Sequence, residues 1–128
     1  MPITDSPGSW SPPVYAGATF TRTLTVTSGT AVVDLTGYDA RLQARTAYTA
    51  GSAVLTLGTA SGLTMGGTAG TIGITIAATA TAALGSALDV YTTGNAAQLV
   101  YDLELQSGGG DVTQLLRGVM TVWPEATR

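Results

Sequence analysis

The side chains able to do chemistry are few and easy to place. Asp102 and Glu104 stand two apart in the alternating segment Leu99 to Gln106, and on a strand that spacing puts both carboxylates on one side, roughly 6.5–7 Å apart. Such a pair is material for acid/base work or for a hard cation, although the outward positions of a half-buried strand are also where solvated charges belong. Two glycine clusters, Gly66-Gly67-Thr68-Ala69-Gly70 and Gly108-Gly109-Gly110, invite comparison with phosphate cradles. Neither ends in Gly-Lys-Ser/Thr or leads into a helix, and hairpin turns account for both. The chain contains no cysteine, histidine or lysine. A thiol nucleophile, an imidazole base, a Cys/His zinc site and a disulfide framework are therefore absent, and the many serine and threonine hydroxyls have no ordinary base to activate them. The expectation is a protein with no catalytic residues, cofactor or metal.

Binding is the better-supported class. Four of the five prolines and one of the two tryptophans fall within residues 1–18, as Pro2, Pro7, Trp10, Pro12 and Pro13. Proline fixes φ and removes a donor, so residues 1–18 read as an extended arm and not as a strand inside a sheet. A tryptophan flanked by prolines loses little entropy on docking, which makes Trp10, Pro12, Pro13 and Tyr15 candidates for anchoring the arm on a neighbouring subunit; the alternative is that the arm folds back over the edge of its own sandwich. Trp123, just before Pro124, reads as a cap on the end of the domain. A second candidate surface is the row Thr21, Thr23, Thr25 and Thr27, a low-charge strand face suited to packing against another copy.

Composition supports this view. Threonine (23), alanine (19) and glycine (17) make up nearly half of the 128 residues, and charged residues only 10%, against about 25% in a typical soluble domain. A net charge of −3 is the wrong sign for holding phosphates, so nucleic acid is not an expected partner. The apolar runs are far shorter than the roughly 20 residues of a membrane helix, and the N-terminus lacks a signal-peptide pattern. Biased codon usage is a rival explanation for the alanine, glycine and threonine content.

The elements that must position these residues are mostly strands. Period-two alternation marks residues 20–27, 32–35, 38–45, 53–57, 63–65, 71–76, 99–106 and 112–123, separated by glycine-rich turns. In the first run Arg22 falls among apolar residues, where it either snorkels to water or pairs with a carboxylate. Residues 63–65 and 71–76 should form a hairpin around the 66–70 cluster. Residues 77–84 are the one stretch where helix competes, for about two turns at most, with Gly85 as its stop. This predicts an all-β chain: an immunoglobulin-like antiparallel β-sandwich of about seven to eight strands over residues 19–128, behind the extended arm 1–18.

The order of segments is itself informative. Gly17-Ala18-Thr19-Phe20-Thr21-Arg22-Thr23-Leu24 is followed by Val33-Asp34-Leu35-Thr36-Gly37-Tyr38-Asp39-Ala40-Arg41-Leu42-Gln43-Ala44-Arg45. Then come Ala53-Val54-Leu55-Thr56-Leu57, Ile72-Gly73-Ile74-Thr75-Ile76, Tyr101-Asp102-Leu103-Glu104-Leu105 and Leu115-Leu116-Arg117-Gly118-Val119-Met120-Thr121-Val122. Over residues 17 to about 127 this resembles small immunoglobulin-like β-domains of tailed bacteriophages. It is similar to the N-terminal domain of baseplate upper proteins and to short stand-alone proteins of phage structural gene clusters. The resemblance implies a non-enzymatic plug in a virion, tail- or baseplate-associated, present in several copies and holding a fibre or neighbouring subunit through its arm. It supplies no catalytic residues, and a fibre-forming or receptor-binding extension is not expected here. A capsid decoration (cement) protein is the alternative, and a carbohydrate-binding β-sandwich module is a more distant one. The expected partners are other virion proteins (tail, fibre or capsid subunits), with neither nucleic acid nor membrane, and the expected location is the virion, assembled in the host bacterial cytoplasm.

Overall fold

The computed structural model describes residues 8–127. In chain order the elements are β1 (Gly8–Ser9), β2 (Pro13–Tyr15), β3 (Phe20–Thr25), β4 (Thr27–Ser28), β5 (Ala31–Val32), β6 (Asp39–Arg45), β7 (Leu55–Thr59), β8 (Gly62–Met65) and β9 (Thr71–Ile76). Two helices, α1 (Ala78–Ala87) and α2 (Val90–Thr93), precede the long strands β10 (Ala97–Gln106) and β11 (Val112–Trp123). The chain is all-β in class, and its main sheet follows the order β1-β11-β10-β6-β7-β8-β9-β3, with β2 also on β11.

Alternation explains the core. Along β10, Leu99, Tyr101, Leu103 and Leu105 are buried, and across the antiparallel ladders they face Ala40, Leu42 and Ala44 of β6 and Met120 of β11. Ile72, Ile74 and Ile76 of β9 supply the other wall, with Leu63 and Phe20. The sheet turns sharply between β7 and β8, where Ala60 takes a left-handed φ of 64°. It curls until its two ends meet: the Trp10 ring lies 6.4 Å from that of Phe20, and a cavity of about 290 Å³ is lined by Gly8, Leu115 and Leu116 from one end and Leu24, Val26 and Thr27 from the other. Two layers over one core result, a sandwich-like arrangement.

Several elements differ from the sequence expectation. The described part of the arm is extended, but it is a strand of the sheet: β1 and β2 pair in parallel with β11, with Val14 opposite Val122 and Tyr15 opposite Trp123. Prolines do not prevent this at an edge, where a missing N–H faces outward and the carbonyl still pairs. Pro12 is buried, and its C=O accepts from Thr121 N at 3.2 Å. Antiparallel pairing dominates, but the sheet is mixed, because β7 and β8 also pair in parallel. The run 20–27 breaks at Val26, whose N–H bonds Gly70 O while its C=O accepts from Val33, so Thr27–Ser28 leave to form a small hairpin with Ala31–Val32.

The helix α1 spans 10 residues and passes through Gly85 instead of stopping there. Gly85 is buried, and a Cβ on it would lie 2.8 Å from the Ala16 Cβ and 2.9 Å from the Tyr91 ring. Its lack of a side chain serves close packing of α1 on the arm and not helix termination. Thr81, fully buried, makes the same junction polar: its hydroxyl accepts from Gly17 N–H at 3.0 Å and lies 2.8 Å from Ala18 O, to which it can donate.

Candidate interaction surface

The outward faces of β6, β10 and β11 carry Asp39, Arg41, Arg45, Asp102, Glu104 and Arg117, and strand register sets them, with residues of β7, in rows. Arg117, Asp102, Gln43 and Thr56 lie side by side across the four strands; the next row runs Gln114, Glu104, Arg41 and Gly58. A register shift in β11 beside Leu103/Glu104 brings Gln114, and not Leu115, opposite Glu104.

Asp102 and Glu104 therefore do share a face, but each has its own partner. The Glu104 carboxylate meets Arg41 Nη2 at 3.0 Å, and Asp102 Oδ2 accepts from the Gln114 amide at 3.0 Å. Arg45 donates to Ala50 O at 3.0 Å and to Gln43 Oε1 at 3.2 Å. Two shallow hollows adjoin over this face, about 260 Å³ and about 490 Å³, with Arg41 and Glu104 on the rim of both. Tyr48, 65% exposed, stands at the first hollow. Gln43 and Arg45 are readable from the sequence as outward positions of the run 38–45 but not as site residues, and Tyr48 lies outside every alternating run; the available signal for all three is their spacing on and just after a strand with one wet face.

The glycine clusters are turns. The N–H groups of Gly66, Ala69 and Gly70 bond Thr71, Gly66 and Gly67 carbonyls, and Gly110 N–H bonds Ser107 O, closing the β10–β11 hairpin. The Asp34-Leu35-Thr36-Gly37 turn is closed by Thr36 N–H on Asp34 Oδ1 at 2.9 Å. The Thr36 hydroxyl and then its backbone N–H hold the fully exposed Asp34 carboxyl below its ordinary value of 3.8. Among the described residues, no three His, Cys, Asp or Glu side chains gather in one place, and no helix is long and apolar enough to cross a membrane.

The arm residues divide. Trp10 is half-buried against Phe20, its carbonyl accepts from the Tyr101 hydroxyl, and Pro12 is buried; Pro13 is half-buried. Only Tyr15, 52% exposed, looks outward, beside its register partner Trp123 at 45%. Trp123 is thus half of an exposed aromatic pair and not a closed cap. Burial pushes the Tyr101 phenol up to about 12.

Thr21, Thr23, Thr25 and Thr27 are all exposed. Among the described residues, β3 ends the strand order and pairs on one side only, with β9. Val26 N–H bonds Gly70 O in the same register that sets Leu24 opposite Ile72 and Arg22 opposite Ile74. Antiparallel pairs alternate, so the peptide groups of Thr21, Thr23 and Thr25 point to the open side. Arg22 snorkels to the surface, its guanidinium on Thr21 O at 2.8 Å and 4.9 Å from the Phe20 ring centre. No family model matches the chain, and no curated protein matches it.

Proposed function

We propose that the protein is a non-enzymatic structural subunit of a tailed-phage virion, held in place by a strand or edge of a neighbouring subunit laid against β3. The observation that carries this reading is the β3 edge, unpaired among the described residues: the alternate residues Thr21, Thr23 and Thr25 turn their peptide groups outward beside an apolar seam, and of these groups the Thr21 carbonyl is covered by the Arg22 guanidinium. Sheet edges left bare in this way are templates for another strand, and proteins that stay alone guard them with lysine, proline or bulges. On the opposite edge the short strand β2 begins with Pro13, directly after Pro12, which blunts that part of the edge. One open and one partly blunted edge suit a single directed contact. The exposed pair Tyr15 and Trp123 supplies an aromatic anchor for a second contact.

The virion itself comes from the resemblance over residues 17 to about 127, and within it a tail- or baseplate-associated position is the leading one. Particles purified from the encoding genome test the reading. Quantitative mass spectrometry should find the chain at a small multiple of the tail symmetry, with density for it near the baseplate or tail in a cryo-EM map. A copy number on the scale of the whole shell would make it a capsid decoration protein instead, and absence from particles would overturn both.

A further inference from the structure

We infer that the outward face of β6 and β10 is a binding site for a neutral oligosaccharide, with Tyr48 as its stacking platform. This site is separate from the β3 edge and does not depend on the virion reading.

The first ground is charge. The smaller hollow is lined by two guanidiniums, Arg41 and Arg45, and two carboxylates, Asp102 and Glu104. The ionic groups of this hollow balance, and Asp39 at the larger hollow is offset by Arg117 beside Asp102, so the groove carries no net charge to select an anion or a cation. What it offers is a high density of directional donors and acceptors, which suits a ligand rich in hydroxyl groups.

Pre-ordering is the second ground. Arg45 is held by Gln43 and the Ala50 carbonyl, and Asp102 by Gln114, all through part-buried bonds, while the Arg41–Glu104 pair is more exposed. Fixed side chains have already lost the rotamer freedom that binding would otherwise remove. Each also keeps capacity to spare. A guanidinium has five N–H donors and a carboxylate about four acceptor positions, so Asp102 Oδ1, the second Glu104 oxygen and the Gln43 amide N–H groups can reach a ligand without breaking the existing bonds.

The third ground is shape together with an aromatic ring. The two hollows follow one another along the strand direction and share Arg41 and Glu104 as a common rim, so the site is a groove with two compartments. A polymer of repeating rings fits that form better than a single compact ligand. Tyr48 stands at one end with most of its surface in water. Its ring offers an apolar face to the C–H side of a sugar while the groove takes the hydroxyls; Tyr is amphipathic in the way this needs.

The test is an array of neutral and acidic glycans probed with the purified chain, followed by heteronuclear NMR titration with the neutral glycans retained. Retention of neutral glycans is expected, with shifts at Gln43, Tyr48 and Asp102. Tyr48→Ala should weaken binding about tenfold or more, a loss equivalent to about 1.4 kcal/mol, with an unchanged melting temperature. Tyr48→Phe should bind within a few-fold of the parent chain. The proposal is overturned if no glycan is retained, if only acidic glycans are retained in a salt-sensitive manner, or if Tyr48→Ala binds as well as the parent. Self-association lost in Tyr48→Ala, with no glycan retained, would reassign the face to a protein contact.

Discussion

Tyr101 joins the core to the arm, and its hydroxyl makes that junction sensitive to alkali. The ring is buried in the middle of β10, and the phenol donates to the Trp10 carbonyl. Its pKa is about 12 in the folded chain against 10.0 for the free side chain, so the folded state favours the protonated form. That contribution is complete below pH 10 and is lost as pH rises towards 12. Denaturant unfolding followed between pH 8 and 12 should show this slope. In Tyr101→Phe the slope should largely vanish, while stability at pH 7 falls by about 1 kcal/mol as the Trp10 carbonyl loses its donor. Thr81 is a second joint of this kind. Thr81→Val keeps the shape but strips the hydroxyl from Gly17 N–H and Ala18 C=O, and a cost of about 1–3 kcal/mol should appear in equilibrium unfolding. Neither residue was legible in the sequence as a joint. Tyr101 could be assigned to the core by its alternation with Leu99, Leu103 and Leu105, but its partner lies 91 residues away. Thr81 looked like one threonine among 23.

At the scale of elements, strands with one wet and one buried face were readable, and the rest was not. The runs 38–45, 71–76, 99–106 and 112–123 coincide closely with β6, β9, β10 and β11, because period-two alternation is a local property. The arm lies back on its own sheet edge, the alternative to docking on a neighbour, and its pairing as a strand is not readable because proline content reports the absence of donors, not which side of a strand faces solvent. The length of α1 was underestimated because Gly85 was weighed as a helix breaker, whereas packing against Ala16 decides its use. The candidate groove was half visible: the paired carboxylates were evident, but which arginines stand opposite them is set by strand order. Gly118 gives the arm assignment a direct test. A Cβ there would run into the Trp10 carbonyl, so Gly118→Ala should push β1 and the Trp10 turn away from β11 at a cost of about 1–3 kcal/mol. Limited proteolysis should then cut within residues 8–12 at protease levels that leave the parent chain intact. Equal resistance of the two chains would mean that the arm is not held where β11 holds it.

For the whole molecule, the decisive feature is the unlike treatment of the two sheet edges. Truncating residues 1–16 would not isolate the arm's role in assembly, because it removes buried Val14 and Ala16 and the Trp10 carbonyl that Tyr101 needs; any loss of incorporation would follow from loss of the fold. Point changes on exposed positions avoid this. Lysines at Thr21 and Thr25 would sit beside the outward peptide groups of β3, where strand addition would have to desolvate two ammonium groups, while both side chains are exposed and make no side-chain hydrogen bond among the described residues. The double variant should therefore melt within about 1 kcal/mol of the parent, as exposed substitutions do, yet incorporate poorly into particles. Lysines at Thr79 and Thr92, exposed on the helices, should leave both properties unchanged. Normal incorporation of the Thr21/Thr25 variant would show that the β3 edge is bare for a reason other than assembly, and the contact would then have to be sought at Tyr15 and Trp123, the other surface that the curled sheet leaves open.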